Sequence, residues 1–173
     1  MNRVGIRKLA REGDLVQLGR GIYRVADAPL ESHEDLALVA ARKENAVICL
    51  LSALRFHEIT TESPGSVWIA VENHSRPPRI ETLNLKVHYF SGASYHEGIE
   101  THNIAGVQVK IYSVEKTLAD CFKFRNQIGT SIAVEALKEG WKKRQVRTEA
   151  IYHFARICRV LNVMRPYLEG ILE

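Results

Sequence analysis

The stretch VQVKIYSVEKTLADCFKF, residues 107–124, decides how this chain folds. It opens with Val107, Val109 and Ile111 alternating with Gln108, Lys110 and Tyr112, the period-two pattern of a half-buried strand. The period then changes. Ser113 can cap a helix by accepting a backbone N–H, and Glu115 falls in the first turn, where the helix dipole favours an anion. Val114, Leu118, Cys121 and Phe122 follow at helical spacing. Glu115, Lys116, Asp120 and Lys123 fall on other faces, and Lys116 and Asp120 can pair four residues apart. The residues alone therefore predict a surface-charged helix docked on a sheet.

Upstream of this stretch the pattern is that of strands. Residues 67–71 and 85–90 read as strands, separated by the turn-rich NHSRPPR at 73–79. Residues 99–104 and 107–112 read as a hairpin joined at Ala105 and Gly106, and residues 91–98 as a loop. Before them, Ser32 with Asp35 suggests a capping box for a helix carrying Leu36, Ala37, Val39 and Ala40. Residues 46–59 read as a buried helix, with room for a short extended entry. His57 lies at its polar end with no nucleophile or carboxylate at a recognisable spacing, which favours a structural role. Downstream, Thr130 or Ser131 is placed to cap a helix running to about Lys143, Thr148 starts another, and residues 163–172 form a last one with Pro166 in its first turn. Helices, a run of mostly antiparallel strands, then helices make an α+β fold with a helical C-terminus.

Length and composition set the class. A chain of 173 residues with 46% hydrophobic and 25% charged residues is that of an ordinary soluble globular protein. The longest apolar runs, such as VICLL at 47–51, are too short to cross a membrane. No charged-then-apolar leader opens the sequence, so a cytoplasmic location with no membrane partner is expected. Cys49, Cys121 and Cys158 sit singly among apolar residues, as reduced core thiols do. His88, His96, Glu97, Glu100 and His102 are residue types that bind metals, but their spacing matches no zinc pattern. Neither a metal nor a cofactor is expected.

The net charge of +4 is unevenly spread. Residues 1–24 hold six Lys or Arg against Glu12 and Asp14, and the remaining residues balance. A second basic segment, residues 138–165, holds eight Lys or Arg against Glu139 and Glu149. Segregated positive charge suits a polyanion, although a solvated basic face has the same composition. Residues 2–12 read as a helix with Arg3, Arg7, Lys8 and Arg11 outward, stopping at Gly13. Residues 15–25 then read as a hairpin with Arg20 at its glycine-flanked tip and Arg24 on its second strand. A basic helix followed directly by such a hairpin is the second half of a winged helix, in which the helix enters the major groove and the hairpin meets the neighbouring backbone. Ala28 and Pro29 mark a joint between this segment, residues 1–28, and a second domain, residues 29–173.

Four stretches in order resemble the AbiEi family of antitoxin-regulators from bacterial abortive-infection (type IV toxin–antitoxin) systems. They are GDLVQLGRGIYRV at 13–25, AVICLLSALRFHEIT at 46–60, GVQVKIYSVEKTLADCFKFRNQIG at 106–129 and AVEALKEGWKKR at 133–144. The resemblance implies a winged helix that represses its own operon at inverted repeats. It also implies a C-terminal α+β domain that counters a nucleotidyltransferase-like toxin, directly or indirectly. The family's recurrent polar positions fall on Ser52, Ser113, Glu115, Lys116, Thr117 and Asp120. Its members usually carry two helices before the stretch matching residues 2–13, so the winged helix is expected to be partial, with dimerisation one source of support. DNA contacts are then expected from Arg3, Arg7, Lys8, Arg11, Arg20 and Arg24. Two other readings fit the residues. One is a metal-dependent nuclease or nucleotide-handling enzyme using Glu115, Lys116 and Asp120. The other is an interaction module without DNA binding.

Overall fold

The computed structural model describes residues 3–19, 21–26 and 32–172. Helix α1 (Arg3–Glu12) stops at Gly13, which adopts φ 86°. The Asp14 N–H turns back to the Leu9 carbonyl at 3.0 Å. Strands β1 (Leu15–Gly19) and β2 (Ile22–Val25) form an antiparallel hairpin, with Leu15 opposite Val25 and Gln17 opposite Tyr23. The expected tip, Arg20, and the expected joint at 28–29 lie outside the described residues.

Helix α2 (Glu34–Arg42) follows, without the expected Ser32 capping box. His33 takes the N-cap position at φ 68° and makes no side-chain cap bond. Residues 46–59 divide into a two-residue strand β3 (Val47–Ile48) and helix α3 (Leu50–Phe56). Strands β4 (Val67–Glu72) and β5 (Leu85–Phe90) come next. The 91–98 segment, read as loop, contains a single helical turn, α4 (Ala93–His96), which is too short to show a period in sequence. Strands β6 (Ile99–Ile104) and β7 (Val107–Tyr112) make the expected hairpin.

Among the described residues five helices follow: α5 (Val114–Lys123), α6 (Arg125–Ile128), α7 (Thr130–Lys142), α8 (Thr148–Ile157) and α9 (Leu161–Leu172). Thr148 begins α8 as expected, whereas Thr130 is the first helical residue of α7 and Gly129, not Thr130 or Ser131, occupies its cap position. Helix α9 begins before the position read from sequence, so Pro166 lies inside it and not in its first turn. Pro166 and Asn162, whose carbonyl loses a helical N–H partner to the proline, are both exposed, so water can satisfy that carbonyl.

The five-stranded sheet has the order β5-β4-β3-β7-β6. Among the described residues, counting the N-terminal hairpin, three strand pairings are antiparallel and two, β3–β7 and β4–β5, are parallel. The class is α+β. Strand alternation sends side chains to both faces, and both are covered. Ile48, Ile69, Val71, Val109 and Ile111 meet Leu36 and Val39 of α2. Trp68, Ala70, Phe90 and Tyr112 face Leu118 and Phe122 of α5, with α7, α8 and α9 behind.

Helix α5 is where the sequence reading fails. Residues 114–122 are all buried, charged ones included, because α3, α7, α8 and α9 all pack around it. The surface-charged helix expected from the sequence is an interior one. Three of those covering helices come from residues 130–172, which a local pattern cannot register. No helix among the described residues is long and apolar enough to cross a membrane.

Candidate functional site

The polar positions of α5 assemble one buried network. The Ser113 hydroxyl accepts the Lys116 N–H at 3.3 Å, the cap predicted from sequence. The Ser113 N–H donates to the Gly98 carbonyl at 2.7 Å. Gly98 adopts φ 79°, and a Cβ there would lie 2.8 Å from Lys116 Cβ, so the entry to β6 needs glycine to approach α5 this closely. The Thr117 hydroxyl donates to the Tyr112 carbonyl at 3.3 Å, and His57 Nε2 donates to the same oxygen at 2.8 Å. His57 is thereby a structural donor that ties α3 to the end of β7. Ser52, on α3, accepts the Trp68 N–H of β4 at 2.9 Å.

Lys116 and Asp120 form the centre. Lys116 Nζ donates to Asp120 Oδ2 at 2.5 Å, and both side chains are 0% exposed. The ammonium also stands 4.1 Å from the Tyr112 ring centroid and 4.8 Å from that of Phe90, within cation–π range. Asp120 Oδ1 accepts at 3.2 Å from Sγ of Cys158, the residue that caps the end of α8. Glu115 turns elsewhere: its Oε1 accepts both the backbone N–H and Nε of Arg147 at 3.2 Å, at the start of α8.

Burial pushes the Asp120 carboxyl above its ordinary range, and the adjoining Lys116 ammonium opposes that shift. Burial, then the Asp120 charge, pushes the Cys158 thiol up to about 12. Cys49 and Cys121 move the same way for the same leading reason, so all three stay as thiols rather than nucleophilic thiolates. The Tyr112 hydroxyl, which donates to the Tyr95 carbonyl at 2.7 Å, is likewise raised by burial. Lys116 and Asp120 are thus held by each other, two aromatic rings and Cys158, with neither side chain reaching the surface. Sequence reasoning missed Arg147, Cys158 and Gly98 as partners of this network, because each meets the Ser113–Asp120 stretch across a long sequence separation; Tyr112 was read only as a strand residue although it lies one turn before Lys116.

The basic residues of α1 have the opposite setting. Arg7, Lys8 and Arg11 are exposed, and no described residue from 4 to 26 is buried. Val4 is 72% exposed, and Val16 and Val25 are also exposed. Lys8 pairs loosely with Glu12 at 3.8 Å. Arg24 departs from the expected set: its Nε lies 3.9 Å from Glu34 Oε2, with both side chains largely covered, so it links the hairpin to α2. The Arg3 side chain and Arg20 lie outside the described residues.

The histidines and glutamates flagged in the sequence do not converge. His96 pairs with Glu72 at 3.3 Å, His102 with Glu100 at 3.2 Å, and Glu97 with His153 at 2.8 Å. His88 stacks on Trp68, centroid to centroid 5.3 Å. Among the described residues no group of three or more His, Cys, Asp or Glu is placed to hold a metal ion.

No protein family and no curated protein matches this chain. Among solved structures, a crystal structure of an antigenic nucleotidyltransferase-like protein from Paracoccidioides brasiliensis aligns over 82% of this chain and 95% of that one. The identity is 12% and the TM-score 0.42, a likeness too slight to carry an argument about function.

Proposed function

We propose that this protein is a DNA-binding regulator of the antitoxin type. Its N-terminal helix and hairpin engage operator DNA, and its core serves as a non-catalytic body that opposes a nucleotidyltransferase-like toxin, directly or indirectly. The observation behind this reading is the exposure of Arg7, Lys8 and Arg11 on a helix that runs straight into an antiparallel hairpin. Such side chains meet phosphates, and the helix is narrow enough for the major groove. The sequence resemblance supplies the antitoxin role and repression at inverted repeats; a cytoplasmic setting rests on the sequence pattern, and a homodimer would both span such repeats and support the short helix and hairpin. The metal-dependent enzyme reading draws no support from the site. Two of its three residues, Lys116 and Asp120, are bonded to each other at 0% exposure, and Glu115 is engaged by Arg147.

Fluorescence anisotropy tests the reading, with the chain titrated into its own upstream duplex and into an unrelated one across a salt series. The expected result is tight, salt-sensitive preference for its own DNA. Replacing Arg7, Lys8 and Arg11 together by alanine should lower the salt slope by about 1 for each phosphate left without its cation. Equal, weak binding to both duplexes would overturn it.

A further inference from the structure

The second basic segment flagged in the sequence has no part in the function proposed above. Its densest portion is the corner between α7 and α8, residues 142–147, KKRQVR, with four cations and no acid. Lys142, Lys143, Arg144 and Arg147 are all exposed there, and Lys138 is exposed one helical turn earlier. We infer that this corner is a binding surface for single-stranded nucleic acid, with Trp141 as the stacking platform and Lys142 and Arg144 on the flanking phosphates.

Three features argue for a built surface. First, Trp141, Lys142, Arg144 and Val146 line one open concavity of about 370 Å³. A half-buried indole in a positively charged hollow is the arrangement on which a base stacks while its phosphates meet cations.

Second, the corner is held in shape. The Gln145 N–H returns to the Gly140 carbonyl at 3.0 Å and the Arg144 N–H to the Trp141 carbonyl at 2.9 Å, the paired bonds of a Schellman motif. Gly140 has no Cβ, and one placed there would lie 3.2 Å from Val146, so the chain can fold back closely. The buried Glu115 carboxylate fixes Arg147 through its backbone N–H and Nε at 3.2 Å. Lys143 Nζ donates to the Glu58 carbonyl.

Third, Arg144 occupies the motif's left-handed position at φ 56°, where glycine is favoured. A side chain there costs about 1–2 kcal/mol, and a cation near a helix C-terminus recovers only part of it. Among the described residues Arg144 makes no ion pair, and neither does Lys138. Lys142 and Lys143 share Glu139 at 3.8 and 3.7 Å, loose surface pairs that a phosphate can replace.

The surroundings confine the ligand. On the far side of Lys143 a groove is lined by Glu58, Glu62, Glu135 and Glu139, which repels phosphate and leaves the Trp141 side open to it. An acidic peptide would use the cations but not the indole plane. A duplex keeps its bases stacked inside and out of reach of Trp141.

The test uses the full chain with Arg7, Lys8 and Arg11 changed to alanine, so that duplex binding by α1 and binding at the corner are read separately. A labelled oligo(dT) strand, the matching duplex and polyglutamate are titrated against it, following anisotropy and tryptophan emission. Of the two tryptophans, Trp68 is 5% exposed, so quenching reports Trp141. Oligo(dT) should bind and quench emission. Trp141→Leu, which keeps apolar bulk and removes the plane, should weaken binding by about five- to a hundredfold. Arg144→Gly should lower the salt slope by about 0.7 while leaving the melting temperature unchanged or higher, since glycine suits that backbone. Binding without quenching, equal or tighter binding of the duplex or polyglutamate, or an Arg144→Gly variant that folds normally and binds as before would each overturn the inference.

Discussion

Two ion pairs in this molecule have the same sequence spacing and opposite settings. Lys8 and Glu12 lie four residues apart on α1, 3.8 Å from each other, with side chains 74% and 49% exposed. Lys116 and Asp120 lie four residues apart on α5, at 2.5 Å and with no exposure. Spacing decides which side chains can meet; packing decides what the meeting is worth. A solvated pair on a helix contributes about 0.3–0.5 kcal/mol. Removing one partner of a buried pair leaves an uncompensated charge in the core and costs about 3–5 kcal/mol. The contrast extends to the whole regions. Residues 114–122 are all buried, whereas no described residue from 4 to 26 is. One region meets its polar needs internally, while the other turns charge and apolar surface outward.

The largest expected effect follows from that difference. Asp120→Ala should lower urea-unfolding stability by about 3–5 kcal/mol, and Lys116→Met with Asp120→Leu should recover most of the loss, because an apolar pair can fill a buried ionic site. If Asp120→Ala cost no more than Lys8→Ala, the two pairs would be equivalent and the contrast would collapse. A smaller loss, about 1–3 kcal/mol, is expected from Ser52→Ala, which leaves the buried Trp68 N–H without its acceptor. On the exposed side, Arg7→Ala, Lys8→Ala and Arg11→Ala should each stay within about 0.5 kcal/mol of the parent.

The smallest effect is one of pH. Burial, then Lys86, lowers the His88 imidazole from its ordinary 6.5, so the unfolded chain takes up its proton first on acidification. The His88 contribution is therefore complete above 6.5 and is lost as pH falls through the lower folded value. Thermal melts across that window should show stability falling with acid, and His88→Phe, which keeps a ring against Trp68, should flatten the decline.

Much of the architecture was legible in the sequence. The change of period at Ser113 placed both β7 and the start of α5, and the glycine-flanked turn placed the hairpin. These signals are local: alternation, a cap, a left-handed residue. The polar positions of α5 were legible as a group, and the Lys116–Asp120 pairing as a possibility of spacing. Their burial was not, since α7, α8 and α9 supply the cover from later in the chain. Arg24 lies on the second strand of the hairpin, as read, but its contact with Glu34 was not legible, because Glu34 belongs to the next helix. Pro166 was misread because its position in α9 depends on where that helix begins, which a solvated proline does not announce.

Amide hydrogen exchange with and without the upstream duplex tests the central claim most directly. The α5 amides should exchange only through global unfolding in both states, whereas α1 and β1–β2 amides should exchange fast in the free chain and become protected with DNA. Strong protection of α1 in the free chain, or DNA protection confined to residues outside 3–25, would contradict that claim.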